Sequence, residues 1–308
     1  MRGILSVGGY VPFRRLDRTQ IGATFGSGGG RGSRAVAGYD EDTTTMGVEA
    51  ARLALRGRGA AEAELSALWF ATSEPAYLDK TNASTIHAAL RLDSSVPAFD
   101  FGGALRSGVG ALRAALEGNG TVLVVTADMR GGLPTSADES QGGDGAAAIV
   151  VGEGEGVIAG YLGGASATGE FLERWRTPGS TRSRQWEERF GEVKYGPLVE
   201  QAWNAALKAA EVTPDQVDRV VLTGMHARAI RGVSGRLGVA KEALVDDLAA
   251  TVGNTGTAHA ALMLTNALET ASPGQVVAAV VLADGVDVLI FRTADAIASS
   301  TPARAVST

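Results

Sequence analysis

The chain repeats itself. A helix-patterned segment followed by a continuous apolar run occurs twice, first as TTTMGVEAARLALRGRG (43–59) and LSALWFATSE (65–74), then as YGPLVEQAWNAALKAAEV (195–212) and VDRVVLTGMH (217–226). Apolar positions at helical spacing mark the helices, and short unbroken apolar runs mark strands buried on both faces. The next elements recur as well. SGVGALRAALEGNGTVLVVTADMRG (107–131) and TAHAALMLTNALETASPGQVVAAVVLADG (257–285) each read helix, turn, strand. GAAAIVVG (145–152) closes one half and VDVLIFRT (286–293) the other. The alternation predicts a layered α/β protein with mostly parallel sheets and helices on both faces. Its N-terminal half covers 1–165 and its C-terminal half 166–297, with 298–308 left as a flexible tail or linker. Ligands in this architecture gather at the carboxyl ends of strands, and Glu74 and His226 stand at two such ends.

Composition narrows the chemistry. A chain of 308 residues that is 45% hydrophobic can bury a large core, and its 42 glycines suit tight turns and close packing. A net charge of −6 disfavours nucleic acid as a partner, since counterion release needs a basic surface. The absence of cysteine excludes disulfides, thiolate zinc sites and a thiol nucleophile. The three histidines show no metal-ligand spacing, so no metal is expected. No apolar run reaches a membrane span and the N-terminus lacks a secretory signal pattern, which predicts a cytoplasmic protein with no membrane partner. The glycine-rich stretch 22–34 reads as a loop, because it lacks the lysine and hydroxyl of a phosphate-binding P-loop.

FDFGGALRSGVGAL (99–112) reads as a strand end, a small-residue turn and a helix start, a geometry that presents a nucleophile. With AVAGYDEDTTTMGVEAA, ATSEPAYLDKTNA, GGDGAAAIVVG, GMHARAI and VGNTGTAHAAL, in that order and spacing, the chain resembles the thiolase superfamily, in the branch of 3-hydroxy-3-methylglutaryl-CoA synthase and ketoacyl synthase III. The resemblance spans nearly the whole chain. It implies a five-layer α-β-α-β-α fold of two duplicated halves, usually dimeric, acting on acyl-CoA thioesters in lipid metabolism. It also implies no permanently bound cofactor, coenzyme A entering only as part of the substrate. Some relatives work with a zinc-ribbon/OB-fold protein, which makes such a partner, or a homodimer or heteromer, an expectation here.

Carried over residue by residue, the resemblance is incomplete. The family's nucleophile follows an Asp-x-x-x-Ala pattern, matched by Asp100 and Ala104, and the next residue is Leu105, the former nucleophile position. The catalytic histidine corresponds to His226, the Gly-Asn-Thr asparagine to Asn254, and the synthase glutamate to Glu74, with Lys80 following. Transfer of an acyl group needs a covalent carrier that leucine cannot be. Ser107, two positions along a helix start, points elsewhere. Aldol cleavage of a β-hydroxyacyl-CoA needs no carrier, only a base for the hydroxyl proton and donors for the enolate oxygen. His226 and Asn254 suit the donor role, and Glu74, with Tyr77 as an alternative, suits the base.

This points to an aldolase-type carbon–carbon lyase rather than a transferase. A non-catalytic subunit supporting an active partner is the alternative, and synthase-type condensation ranks below both. Each residue also has a structural reading: His226 as a buried hydrogen-bonded histidine, Asn254 as a turn residue and Glu74 as a solvent-facing charge. His87 and His259 are assigned no chemistry. Asp144 is expected in a turn, and Arg14, Arg15 and Arg228 read as surface charge or as contacts for coenzyme A phosphates.

Overall fold

The computed structural model describes residues 1–57, 64–180, 182–300 and 304–306. The first half runs β1 (Arg2–Tyr10), an excursion of β2 (Arg14–Asp17), α1 (Arg18–Phe25) and β3 (Ser33–Val36), then α2 (Thr43–Gly57), β4 (Ala67–Thr72), α3 (Ala83–Ala89) and β5 (Ala98–Gly102). It finishes with α4 (Arg106–Glu117), β6 (Val122–Asp128), the short α5 (Ala137–Gln141) and β7 (Gly145–Glu153). The second half repeats the scheme with β8 (Ala159–Thr168), a small hairpin of β9 (Arg174–Trp175) and β10 (Arg184–Gln185), α6 (Glu188–Ala210), β11 (Arg219–Gly224) and α7 (Ala227–Ser234). It ends with α8 (His259–Glu269), β12 (Val276–Leu282) and β13 (Gly285–Thr293).

Nine strands form one hydrogen-bonded sheet in the order β11-β12-β13-β8-β1-β7-β6-β4-β5. Within the sheet the two halves join where Gly3 and Ile4 of β1 pair with Gly160 and Ala159 of β8. The boundary expected at 165/166 falls inside β8. On either side of that seam the sheet makes two leaves, with helices outside and between them. One outer core packs Met46, Ala50 and Ala54 of α2 and Ile86 of α3 on Phe70, Leu123 and Ala148. The middle core packs Val109, Leu112 and Leu116 of α4 and Leu262 and Leu264 of α8 between Val124 and Ile149 of one leaf and Val277 and Phe291 of the other. The second outer core sets Val199, Trp203 and Leu207 of α6 on Val280 and Val288. These are the five layers that the resemblance implies.

Strand direction departs from expectation. The pairs β4–β5, β4–β6 and β11–β12 are parallel, and the other five neighbouring pairs are antiparallel. The apolar runs suggested parallel strands because both faces are buried, but helices sandwich the antiparallel strands here too, so the two cases have the same signature. In β12, Val277, Ala279 and Val281 enter the middle core while Val276, Ala278 and Val280 enter the outer one.

Helix α6 begins at Glu188, upstream of the expected segment, and carries Pro197 in its interior. Its added turns are held by Phe190 and Tyr195, whose rings pack edge-on against Phe171. The expected tail is partly ordered. Asp295–Ser299 forms a 3-10 turn, and Val306 is buried with its amide donating to Glu269 at 3.0 Å. Residues 301–303 and 307–308 of that tail lie outside the described residues. Among the described residues no helix is long and apolar enough to cross a membrane.

Candidate active site

The carboxyl ends of β4, β5, β6 and β11 converge on the loop 253–257 that precedes α8. Asp128, at the end of β6 and fully buried, holds the convergence together. It accepts from the Thr72 hydroxyl at 3.0 Å, from the Ser73 amide and hydroxyl at 2.8 Å each, and from the Thr257 amide at 2.7 Å. One carboxylate thus ties the β4 tip of the first half to the loop of the second.

His226 is buried at the N-cap of α7. Its Nδ1 accepts from the Ala229 amide at 2.9 Å. A nitrogen that accepts carries no proton, so the neutral ring bears its hydrogen on Nε2. That face looks toward Glu173, whose Oε1 is 3.9 Å from Nε2, and the Tyr195 ring packs edge-on at 6.3 Å between centroids. Asn254 donates from Nδ2 to the Gly224 carbonyl at 2.9 Å and accepts at Oδ1 from the Gly256 amide at 2.9 Å. The first bond anchors it to the end of β11. Its carboxamide nitrogen has a second hydrogen.

His226 and Asn254 line one cavity of about 380 Å³, whose wall also carries Arg18, Arg174 and Arg231. Leu105, N-cap of α4 after the left-handed Gly103 (φ 92°), lines an adjoining cavity of about 120 Å³ with Arg130, Glu173, Tyr195 and Met225. Leu105 and Asn254 also share a small apolar pocket with Met225 and Leu282.

Glu74 is placed differently. Its side chain is 43% exposed, its carboxylate is paired with Arg176, and it lines a third cavity of about 340 Å³ beside Asp42, Thr43 and Met129. The structure therefore brings His226, Asn254 and Leu105 together and leaves Glu74 in the neighbouring opening. Tyr77 is 54% exposed. Asp100 caps α3 by accepting from the Asn82 and Ala83 amides at 2.7 Å, and the Ser107 hydroxyl turns back to the Gly102 carbonyl at 3.2 Å.

Other residues find structural places. Asp144, expected in a turn, is a buried latch that accepts from the Ala37 amide at 2.8 Å and the Arg130 amide at 2.7 Å. Burial raises its carboxyl pKa despite those bonds. His259 is buried in the wall of the 380 Å³ cavity and accepts from the Thr255 amide at 3.2 Å. Burial pushes its pKa down to about 4, against an opposing pull from Asp247. His87 binds the Asp93 carbonyl at 3.0 Å, and Arg228 pairs with Glu192 at 2.7 Å. The glycine-rich stretch packs on the second half, with Ser33 donating to the Ala250 carbonyl at 2.9 Å.

Sequence reasoning passed over the segment 171–187, which lies between the repeats. Arg174 grips Asp138 of α5 with two bonds of 2.8 and 2.6 Å, Arg176 reaches Glu74, and Glu173 is buried beside Tyr195 and His226. Burial raises the Glu173 carboxyl, opposed by the Tyr195 hydroxyl, His226 and Arg174. Burial and then Glu173 raise the Tyr195 phenol well above its usual range. The signal in the sequence was the run ERWRTPGSTRSRQW, dense in arginine outside any repeat.

Comparison with known proteins agrees with this architecture. The crystal structure of 3-oxoacyl-[acyl-carrier-protein] synthase III from Aquifex aeolicus superposes with a TM-score of 0.80 at 21% identity, covering 95% of this chain and 100% of that one. A structure of OleA from Xanthomonas campestris gives a TM-score of 0.81 at 17% identity over 95% of this chain and 96% of that one. Residues 207–289 match the family described as 3-Oxoacyl-[acyl-carrier-protein (ACP)] synthase III C terminal. In sequence, the hydroxymethylglutaryl-CoA synthase of Aeropyrum pernix is 29% identical over 284 residues, 88% of this chain and 79% of that protein. The hydroxymethylglutaryl-CoA synthase of Pyrococcus furiosus is 30% identical over 280 residues, 88% of this chain and 80% of that protein. With this similarity running through both halves and the site between them, the chain belongs to the hydroxymethylglutaryl-CoA synthase family of the thiolase superfamily.

Proposed function

We propose that this chain cleaves or forms a carbon–carbon bond in a β-hydroxyacyl-CoA by an aldol route, with no covalent acyl-enzyme. The observation that carries the reading is the meeting of His226 and Asn254 on one cavity in a chain that contains no cysteine. The Nε2 hydrogen of His226 and the second Nδ2 hydrogen of Asn254 are the donors for the thioester oxygen as the enolate forms. Leu105 stands where an acyl carrier is needed in condensing relatives, and here it offers only an apolar wall. The arginines of the 380 Å³ cavity suit a phosphate-bearing thioester. Strand β5 is one of the two edge strands of the sheet, and its 56% exposed Phe99 supports pairing with a second copy.

The test is release of an aldehyde or ketone from a β-hydroxyacyl-CoA by the purified chain. His226→Ala and Asn254→Ala are each expected to slow it about 10²–10³-fold, the usual cost of an oxyanion donor. Undiminished release would remove that residue from the mechanism.

A second reading, a non-catalytic subunit, is favoured by one observation: Leu105, Met225 and Leu282 fill the space beside Asn254, leaving a pocket of only about 20 Å³. It predicts no thioester binding by calorimetry and a gain in a zinc-ribbon/OB-fold partner's or other enzyme's activity when this chain is added.

A further inference from the structure

Arg130 is held at every point but one. It stands two residues past the end of β6, and its side chain is only 9% exposed. Its amide donates to Asp144 at 2.7 Å, and its carbonyl accepts from Arg34 at 2.6 Å. A β-carbon on Gly142 would stand 2.8 Å from its Cβ, and one on Gly256 3.0 Å from its Cδ, so the stem is pressed between two glycines. Nη1 donates to the Ser73 hydroxyl at 3.3 Å and lies 3.8 Å from Asp128. That carboxylate is already occupied by Thr72, Ser73 and Thr257. Among the described residues nothing partners Nε or Nη2 of Arg130, and neither atom is closed off by protein. These two N–H groups are the side-on edge of the guanidinium, the fork that matches the two oxygens of a carboxylate.

Arg130 lines both the 120 Å³ cavity of Leu105 and the 340 Å³ cavity of Glu74. In the larger one, Asp42 and Glu74 already match Arg130 and Arg176 in charge. The smaller one has three arginines against the two carboxyls of Glu173 and Asp284. Burial raises both carboxyls, which favours their neutral forms and eases their repulsion of an incoming anion. Two of the arginines are taken, Arg174 by Asp138 and Arg176 by Glu74 and the Ser73 carbonyl. Arg130 brings the open fork. Ala104, Leu105, Leu282 and Ala283 give the same cavity an apolar wall. A fixed cationic fork beside a small apolar wall suits an anion with a short alkyl part.

We propose that Arg130 binds the carboxylate of a short aliphatic acid side-on in the 120 Å³ cavity, with the alkyl part lying against Leu105. The acid is a free molecule or the far end of an acyl thioester, and the recognition chemistry is the same for both. The assignment uses neither His226 nor Asn254 and stands apart from the aldol reading.

The experiment measures binding to the full chain in two pairs, each a carboxylate and its neutral counterpart: butyrate with butyramide by saturation-transfer NMR, and succinyl-CoA with butyryl-CoA by calorimetry. In the pair that contains the true source, the carboxylate is expected to bind about 10–100-fold more tightly. Arg130→Gln is expected to remove that preference, and Arg130→Lys, which keeps the charge and loses the fork, to restore only part of it. A preference in the first pair alone identifies a free acid; a preference in the second identifies a carboxylate carried on the acyl group. Absence of any preference in both pairs overturns the site, a comparison on the parent that needs no variant to fold. A preference that persists undiminished in Arg130→Gln overturns it as well.

Discussion

A β-carbon on Gly191 would stand 2.6 Å from Cδ2 and 2.8 Å from Nε2 of His226, so the imidazole occupies the space that a side chain on α6 would fill. Gly191→Ala must therefore push the ring off its present position. Overpacking of this kind costs about 1–3 kcal/mol, offset by about 1 kcal/mol of better helix propensity. A misplacement near 1 Å costs about 100-fold in rate. The variant is expected to keep most of its stability while losing most of its carbonyl-release activity. Unfolding curves and rates on the same preparation check it.

Leu105→Cys places a thiol at the N-cap of α4, in a chain with no other cysteine. A helix N-terminus favours the thiolate. Incubation with a short acyl-CoA should add the acyl mass to the peptide carrying residue 105, read by mass spectrometry. A thiol that stays unmodified would show that residue 105 is not at the reacting position.

His259 gives a pH dependence. Its folded pKa near 4 lies below the ordinary value of 6.5, so between those values the unfolded chain binds a proton that the folded chain refuses. Stability therefore falls as pH drops through that window and is fully present above it. The shift corresponds to about 3 kcal/mol. Urea unfolding at pH 7 and pH 4.5 should show this loss in the parent and a smaller one in His259→Gln.

Asp128→Ala leaves the part-buried amide of Ser73 and the buried amide of Thr257 without their acceptor. Each orphaned donor costs about 1–3 kcal/mol, giving an expected loss of about 3–5 kcal/mol by denaturant titration. A loss below about 1 kcal/mol would mean that Asp128 does not hold the two halves' loops together.

The repeat and the β5–α4 turn were legible because each is written in local periodicity and small-residue turns, and the five layers came from the family resemblance. The resemblance pointed to His226 and Asn254, and both line one cavity. Strand direction was not legible, since burial on both faces leaves the same apolar run either way. The burial of Glu173 was missed because its surroundings are distant in the chain: Tyr195 on α6 and His226 beyond β11 lie beside it, and no spacing near residue 173 announces them. Asp144 looked like a turn residue for the same reason, its partners Ala37 and Arg130 arriving from other segments. Glu74 was read correctly as a strand-tip residue, but Arg176, from the segment between the repeats, takes its carboxylate.

The tips of β4 and β11 are corresponding places in the two structural repeats, and so are the starts of α4 and α8. One copy now presents glutamate and leucine there, the other histidine and asparagine. Arg106, from the leucine-bearing copy, holds Asp287 of the other at 2.7 Å. Each repeat thus reaches across the seam to brace the other, and a fragment carrying one repeat alone would lose that brace.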